Sequence, residues 1–450
     1  MSSSSSPSSR GGVGGDGGNG SRGRGRGGDF EGPSSSRRRS GDDVWPEPFV
    51  EALALQVAVD AASSAGRLAA AEALFNLFQV CRTWRAVSGS ELLWQNLTRR
   101  VWNRHRLLHD TWREEYISRH RTSLNFRSGQ YAYSNFPAAA DHEGDEDDDG
   151  PSCRRLAISD HHLAAGFSDG SVRLFHIPTN VRLATLRPQP RVRLGLSAAV
   201  SGIILSEVRV VFASLDGDFH VAPTDNTAQT RRARLGTVVD DGALIDFAGC
   251  DRWWVGLYAG VPGRAFQVWN AETEERIFIG GSFTDPEALM GWRQLTEFTH
   301  LVGRVRVTTR ELAVAFTSVR LIVFDLRNTG IILGEEEPQQ GFIVGAADAA
   351  DDQFLTVSTH GIGAVRRVDT MERICGFNVR GPPVLGCMNR GYVVMFYVGG
   401  VIRVWEAEHG RFLYSLGERI GEVTAVVAGD QHVAACGADN TLHLWDYSAE

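Results

Sequence analysis

Val401-Ile402-Arg403-Val404-Trp405-Glu406 and Leu442-His443-Leu444-Trp445-Asp446 share one grammar: alternating apolar residues, then Trp, then an acid. Phe266-Gln267-Val268-Trp269, Val172-Arg173-Leu174-Phe175 and Leu321-Ile322-Val323-Phe324-Asp325 repeat it with Trp or Phe at the anchor. Two weaker copies, Phe219-His220-Val221-Ala222 and Val365-Arg366-Arg367-Val368, are placed mainly by spacing. The anchors fall at 175, 222, 269, 324, 368, 405 and 445, at intervals of 47, 47, 55, 44, 37 and 40 residues. A period of that size suits one four-stranded blade per repeat. Seven anchors therefore predict a mostly β chain built on a seven-bladed β-propeller over residues 123–450.

Outward from each anchor, the strand order is legible. An apolar strand comes first, then a tight turn such as Asp169-Gly170, Asp216-Gly217, Gly399-Gly400 or Asp439-Asn440, where Gly and Asn tolerate positive φ. After the anchor, a polar turn leads to an outer strand, as over residues 181–186 or 411–416. This order resembles the WD-repeat family, although few copies hold the literal Trp-Asp pair and the usual Gly-His is missing. Only five residues follow Trp445, too few for another outer strand. The upstream segment 125–136, with Phe126, Tyr131, Tyr133 and Phe136, is expected to pair with the last blade, and so to cover an edge that would otherwise invite aggregation.

Composition bounds the function. A net charge of −8 argues against direct nucleic-acid binding, no apolar run reaches the roughly 18 residues of a membrane span, and the Ser/Gly/Arg-rich start lacks a signal peptide's apolar core. The expectation is an intracellular protein with no membrane contact. Cys81, Cys153, Cys250, Cys375, Cys387 and Cys436 form no C-x-x-C pair, so buried thiols are expected rather than disulfides or a metal site. With no H-E-x-x-H, no G-x-S-x-G, and a glycine-rich run at 11–20 that precedes no strand, the chain offers no catalytic residues and no cofactor loop. There is also no lysine: all 46 basic residues are arginine. That excludes P-loop and Schiff-base enzymes, both of which need one.

Residues 1–43 hold almost no large apolar side chains and are expected to be disordered. Arg22-Gly23-Arg24-Gly25-Arg26 reads as an RNA contact and Arg37-Arg38-Arg39-Ser40 as a nuclear-import or phosphorylation signal, against a plain solvated tail. Seven acids within residues 141–149 read as an extended, self-repelling loop.

Over residues 44–122 the period changes from two to about 3.6. Val44-Trp45-Pro46-Glu47-Pro48 opens a helix on which Phe49, Leu53, Gln56 and Val57 share a face. Leu68, Ala71, Leu74, Phe75, Phe78 and Cys81 continue on a second, after an Ala/Ser-rich turn at 61–71. Leu93, Trp94, Leu97 and Val101 make a third, and Trp112, Tyr116 and His120 a fourth. Leu74, Phe78 and Leu97 are read as core. Trp45, Pro46, Phe49, Leu53 and Val80 are read as partner surface. The elements Trp45-Pro46-Glu47, Val80-Cys81-Arg82-Thr83-Trp84 and Leu93-Trp94 resemble the F-box, with a gap from Pro46 to Val80 longer than that family's usual one.

Taken with Trp112-Arg113-Glu114-Glu115-Tyr116, Cys250-Asp251-Arg252-Trp253-Trp254-Val255-Gly256-Leu257 and Val261-Pro262-Gly263-Arg264-Ala265-Phe266, the layout resembles the STERILE APETALA-like family of plant F-box/WD-repeat proteins. The resemblance implies a nuclear substrate-recognition subunit of a Skp-cullin-F-box ubiquitin ligase, not itself an enzyme. Such a subunit controls organ size and flower development by targeting repressor complexes of the PEAPOD type. It implies a Skp-type adaptor and cullin held at Trp45, Pro46, Phe49, Leu53, Val80, Cys81 and Trp84, and a protein substrate on the propeller. The competing reading is a direct transcriptional regulator or corepressor scaffold. The 55-residue interval predicts an insertion near 281–300, with Trp292 and Arg293 as candidate substrate contacts. The missing lysines follow either from a coding bias or from protection of a ligase receptor against its own ubiquitin, since arginine is no usable nucleophile.

Overall fold

The alternating segments pair as their period demands. Seven antiparallel sheets of four strands each form the blades. Their inner strands are Cys153–Ile158, Val200–Leu205, Ala243–Gly249, Arg304–Val307, Asp348–Ala350, Leu385–Met388 and Val423–Ala428. The computed structural model describes residues 45–138, 150–188, 197–225, 229–282, 302–337 and 341–449. The tail 1–43, the acidic run 141–149, and Trp292 with Arg293 lie outside the described residues. From Glu47 onward the chain forms one unit.

Six of the seven anchors lie where the pattern put them. Phe175, Ala222, Trp269, Phe324, Trp405 and Trp445 each pair with the second residue of the strand before. In the fifth blade that position, opposite Phe354, belongs to Arg366 rather than Val368. The shift has a chemical cause. Arg366 pairs with Glu336 on the outer strand of the fourth blade, so an ion pair joins these blades where five other blades pack an aromatic ring. At the turns, Gly170 has φ +86°, and a Cβ there would meet the Ala198 carbonyl at 2.6 Å, so only glycine fits.

Ring closure comes from upstream, by a strand shorter than expected. Ala132–Pro137 pairs antiparallel with Thr441–Asp446, matching Tyr133 to Trp445. Phe126 is not part of it. It lies in the last turn of a helix and stacks on Tyr447 and Tyr392, with ring centroids 3.6 and 4.8 Å away, as a wedge between helix and ring.

Each inner strand would leave a bare edge toward the central channel. A girdle of side chains covers much of it. Arg155 donates to the carbonyls of Ser201 (2.7 Å) and Ile245 (3.1 Å) and approaches Asp246 at 3.5 Å. Asp246 accepts from the Val305 amide (2.8 Å) and from Arg306 (3.1 Å). Arg306 donates to Asp348 (2.7 Å), which accepts from the Met388 amide (2.9 Å). Arg304 caps the carbonyls of Gly345 and Ala347, both at 2.9 Å. Six blades are thereby tied by charge-assisted bonds, stronger than neutral ones.

Among the described residues, five α-helices precede the ring: α1 (Glu47–Ala65), α2 (Ala69–Phe78), α3 (Arg82–Ala86), α4 (Glu91–Trp102) and α5 (Trp112–Ser128). The expected Ala/Ser turn shrinks to Gly66–Leu68, because alanine-rich sequence favours continuing the helix and Gly66, at φ +91°, ends it. On α1 the buried stripe is Val50, Ala54 and Ala58, one position round from the predicted face. Small alanines at this spacing let neighbouring helices approach closely, and Phe49 turns outward.

Candidate protein-docking site

The helices are held by their own signals. Ser90 caps α4 by accepting from the Leu93 amide at 3.3 Å, and Thr111 with Glu114 forms a capping box on α5. Trp94 is pinned by a 2.7 Å bond from its indole N–H to the Ser88 carbonyl and packs against Tyr116 at 5.2 Å. Between α2, α3 and α5 this leaves an open groove of about 880 Å³. Leu74, Phe75, Phe78, Cys81, Trp94 and Ile117 line it, and Arg82, Arg85 and Arg113 stand among the lining residues. Phe75 is 63 % exposed, the most exposed of the large rings on the described helices. Burial of the His120 ring on the same wall lowers its pKa, so it is neutral at physiological pH and adds no charge to the groove.

Of the seven residues expected to hold the adaptor, only Cys81 lines this groove. Trp45, Pro46, Phe49 and Val80 are exposed, while Leu53 and Trp84 are half-buried against the helical core. Leu74 and Leu97 are core, as expected, but Leu74 and Phe78 also form groove wall. Phe75 and Ile117 were missed. Ala70, Leu74 and Leu77 already fill the inward stripe of α2, so Phe75 had to face elsewhere, and that was the available signal.

The groove is fixed relative to the ring. Within a four-stranded blade, the turns after the first and third strands share one end, and those after the second and fourth share the other. Helices α4 and α5 sit at the first end. Arg119, only 5 % exposed on α5, bonds Glu115 (2.8 Å) and Asp430 (3.3 Å), and Arg104 pairs with Asp160 and Asp430. Arg390 pairs with Asp351 and donates to the Asn103 carbonyl at 3.2 Å. Burial alone would raise the Asp430 carboxyl, but Arg390, Arg119 and Arg104 outweigh it and hold it below the usual range. For Asp351 burial wins over Arg390 and the carboxyl is raised. Asn125 on α5 also donates to the Tyr447 carbonyl at 2.8 Å. The opposite end of the ring is left for other contacts. Outer strand Arg276–Gly280 ends, and inner strand Arg304–Val307 begins, at that end.

Among the described residues, Glu406, Glu408 and His409 bring possible metal ligands within 4.8 Å of one another, with Arg411 3.5 Å from Glu406. The six cysteines are free thiols, Cys81 exposed. No described helix is long and apolar enough to cross a membrane.

Comparison with known proteins decides the family. Over 435 residues, 94 % of this chain and 97 % of the other, it is 53 % identical to the transcriptional regulator STERILE APETALA of Arabidopsis thaliana. The chain belongs to the STERILE APETALA family. An uncharacterised WD repeat-containing protein of Synechocystis is 27 % identical over 165 residues, 35 % of this chain and 46 % of that one. The crystal structure of the computationally designed protein Ika8 aligns with 68 % of this chain and 98 % of its own, at 16 % identity and a TM-score of 0.43. No protein-family model matches.

Proposed function

We propose that this protein is a nuclear transcriptional regulator that works by gripping other proteins, one in the groove of the helical module and another on the far end of the propeller. The groove carries the reading. It is an apolar trough with arginines among its walls, suited to an apolar helix flanked by acids. A direct reader of nucleic acid would need a basic stripe, and the net charge of −8 supports contact with protein instead.

The finer reading is a non-catalytic receptor of a Skp-cullin-F-box ubiquitin ligase. A Skp-type adaptor and cullin bind through Trp45, Pro46, Phe49, Leu53, Val80, Cys81 and Trp84 together with the groove, and the propeller delivers a repressor assembly of the PEAPOD type for degradation. The F-box-like strings support it, because Cys81, Arg82 and Trp94 belong to the groove wall. The scaffold reading is supported by the relative's name. One experiment separates them. The full chain, and a variant carrying Phe75→Glu with Ile117→Glu, are each tested for co-purification of a Skp-type adaptor and for binding of the repressor complex. The receptor reading expects adaptor on the unmutated chain only and repressor on both. Repressor binding with no adaptor on either leaves the scaffold. Binding of neither refutes both.

A further inference from the structure

Three guanidinium groups converge on one carboxylate in the wall between the second and third blades. Asp241, 5 % exposed, ends the short helix Val238–Asp241. Its Oδ2 accepts from Arg234 at 2.5 Å, and its Oδ1 accepts from Arg264 at 3.2 Å, Arg276 at 3.3 Å and the buried Gln267 amide at 3.1 Å. Arg234 lies over the Trp269 ring, 4.8 Å from its centroid, and its side chain is only 17 % exposed, so it is part of the frame. Arg264 and Arg276 differ. Their side chains remain 39 % and 35 % exposed, and each donates one nitrogen to Asp241 out of a fork of five N–H donors. Among the described residues, Asp241 is the only carboxylate these three arginines touch, so three positive charges meet one negative charge. Both exposed guanidiniums reach the same oxygen, which places them side by side.

Asp241 offsets only one of the three guanidinium charges, so a second anion at the exposed Arg264–Arg276 pair finds both positive charge and N–H groups that Asp241 does not use. We propose that Arg264 and Arg276 form an oxyanion seat, with Arg234, Gln267 and Asp241 as its frame, for an acidic segment of a protein partner. This rests on the reading that the propeller grips protein. A peptide fits better than nucleic acid because the seat is one anion wide and not a stripe along a backbone. Its oxyanion can be a side-chain carboxylate or a phosphorylated hydroxyl, and both satisfy a forked donor pair.

The test uses the full chain, with fluorescent probes read by anisotropy: a glutamate-rich peptide, a phosphoserine peptide and its unmodified counterpart, and a single-stranded oligonucleotide of equal charge. Binding of the glutamate-rich or the phosphoserine peptide is expected, and which of the two binds identifies the source of the oxyanion. Arg264→Gln with Arg276→Gln should weaken it by about tenfold or more, while Arg264→Lys with Arg276→Lys, which keeps charge but not the fork, should weaken it less. Thermal unfolding of each variant checks the frame. If the glutamine variant unfolds, the lysine variant and the unmutated chain still decide the matter through the loss of binding in added salt. Equal binding by unmutated and glutamine-substituted chains, no binding of either anionic peptide, or tighter binding of the oligonucleotide overturns the proposal. Adaptor co-purification is followed in parallel. It should not change, so failure here is distinct from failure of the receptor reading.

Discussion

Replacing Asp246 by alanine removes the central link of the channel girdle. The side chain is 3 % exposed and holds the Val305 amide at 2.8 Å, Arg306 at 3.1 Å and Arg155 at 3.5 Å. Losing the carboxylate leaves a buried N–H without an acceptor, a cost of about 1–3 kcal/mol. It also leaves two guanidiniums short of a counter-charge. Breaking a buried pair from one side costs about 3–5 kcal/mol, but Arg306 keeps Asp348 and Arg155 keeps two carbonyls, so this part falls at or below the lower bound. The expected total is about 3–5 kcal/mol for Asp246→Ala. Asp246→Asn, which still offers an oxygen to Val305, should lose about 1–3 kcal/mol. Urea unfolding followed by tryptophan fluorescence measures both. If the alanine variant lies within about 0.5 kcal/mol of the unmutated chain, the range expected of a neutral surface change, the girdle does not hold the ring and the reasoning fails.

Three further outcomes follow from the same contacts. Asp430 has a depressed carboxyl, so its contribution is complete above the ordinary carboxylate pKa of about 3.9 and is lost as pH falls through its lower folded value. Asp351, raised by burial, penalises folding at neutral pH and is relieved on acidification, so the helices should loosen from the ring only well below pH about 4, read as new protease cuts between α5 and Ala132. Ser134→Pro places proline opposite Leu444 in the closing strand. It should expose the Thr441–Asp446 edge and produce oligomers in light scattering, whereas a monodisperse variant would show that closure does not depend on this pairing. If the receptor reading holds, lysines at exposed Arg182 and Arg411 should shorten the protein's half-life in cells, and an unchanged half-life refutes protection by lysine absence.

The blades were legible because their signal is local. An apolar alternation, a Gly or Asn turn and a ring at fixed spacing all lie within one hairpin, as at Asp439-Asn440 before Trp445. What failed to show was whatever the ring assembles from distant parts. Arg155 and Asp246 meet only after two blades are in place, and neither carries a pattern of its own. Arg366 escaped for a related reason, since its partner Glu336 sits on another blade and an apolar template passes over a charged pair. On the helical module the strings at Val80–Trp84 and Leu93-Trp94 located the neighbourhood but not the surface. Exposure of Phe75 depends on how α2 packs against its neighbours and leaves the groove open, which helical spacing alone does not fix.

The closing strand sets a schedule for synthesis. Ala132–Pro137 leaves the ribosome before its partner, Thr441–Asp446, which follows about 300 residues later. At about 5–20 residues per second that separation lasts roughly 15–60 s. Throughout it, α5 has no Tyr447 to stack on and the strand has no edge to join. The nascent chain therefore carries an unpaired strand bearing Tyr133 and Phe136 for most of its translation, and its yield in cells should depend on chaperones that shelter such strands more than on the stability of the finished ring.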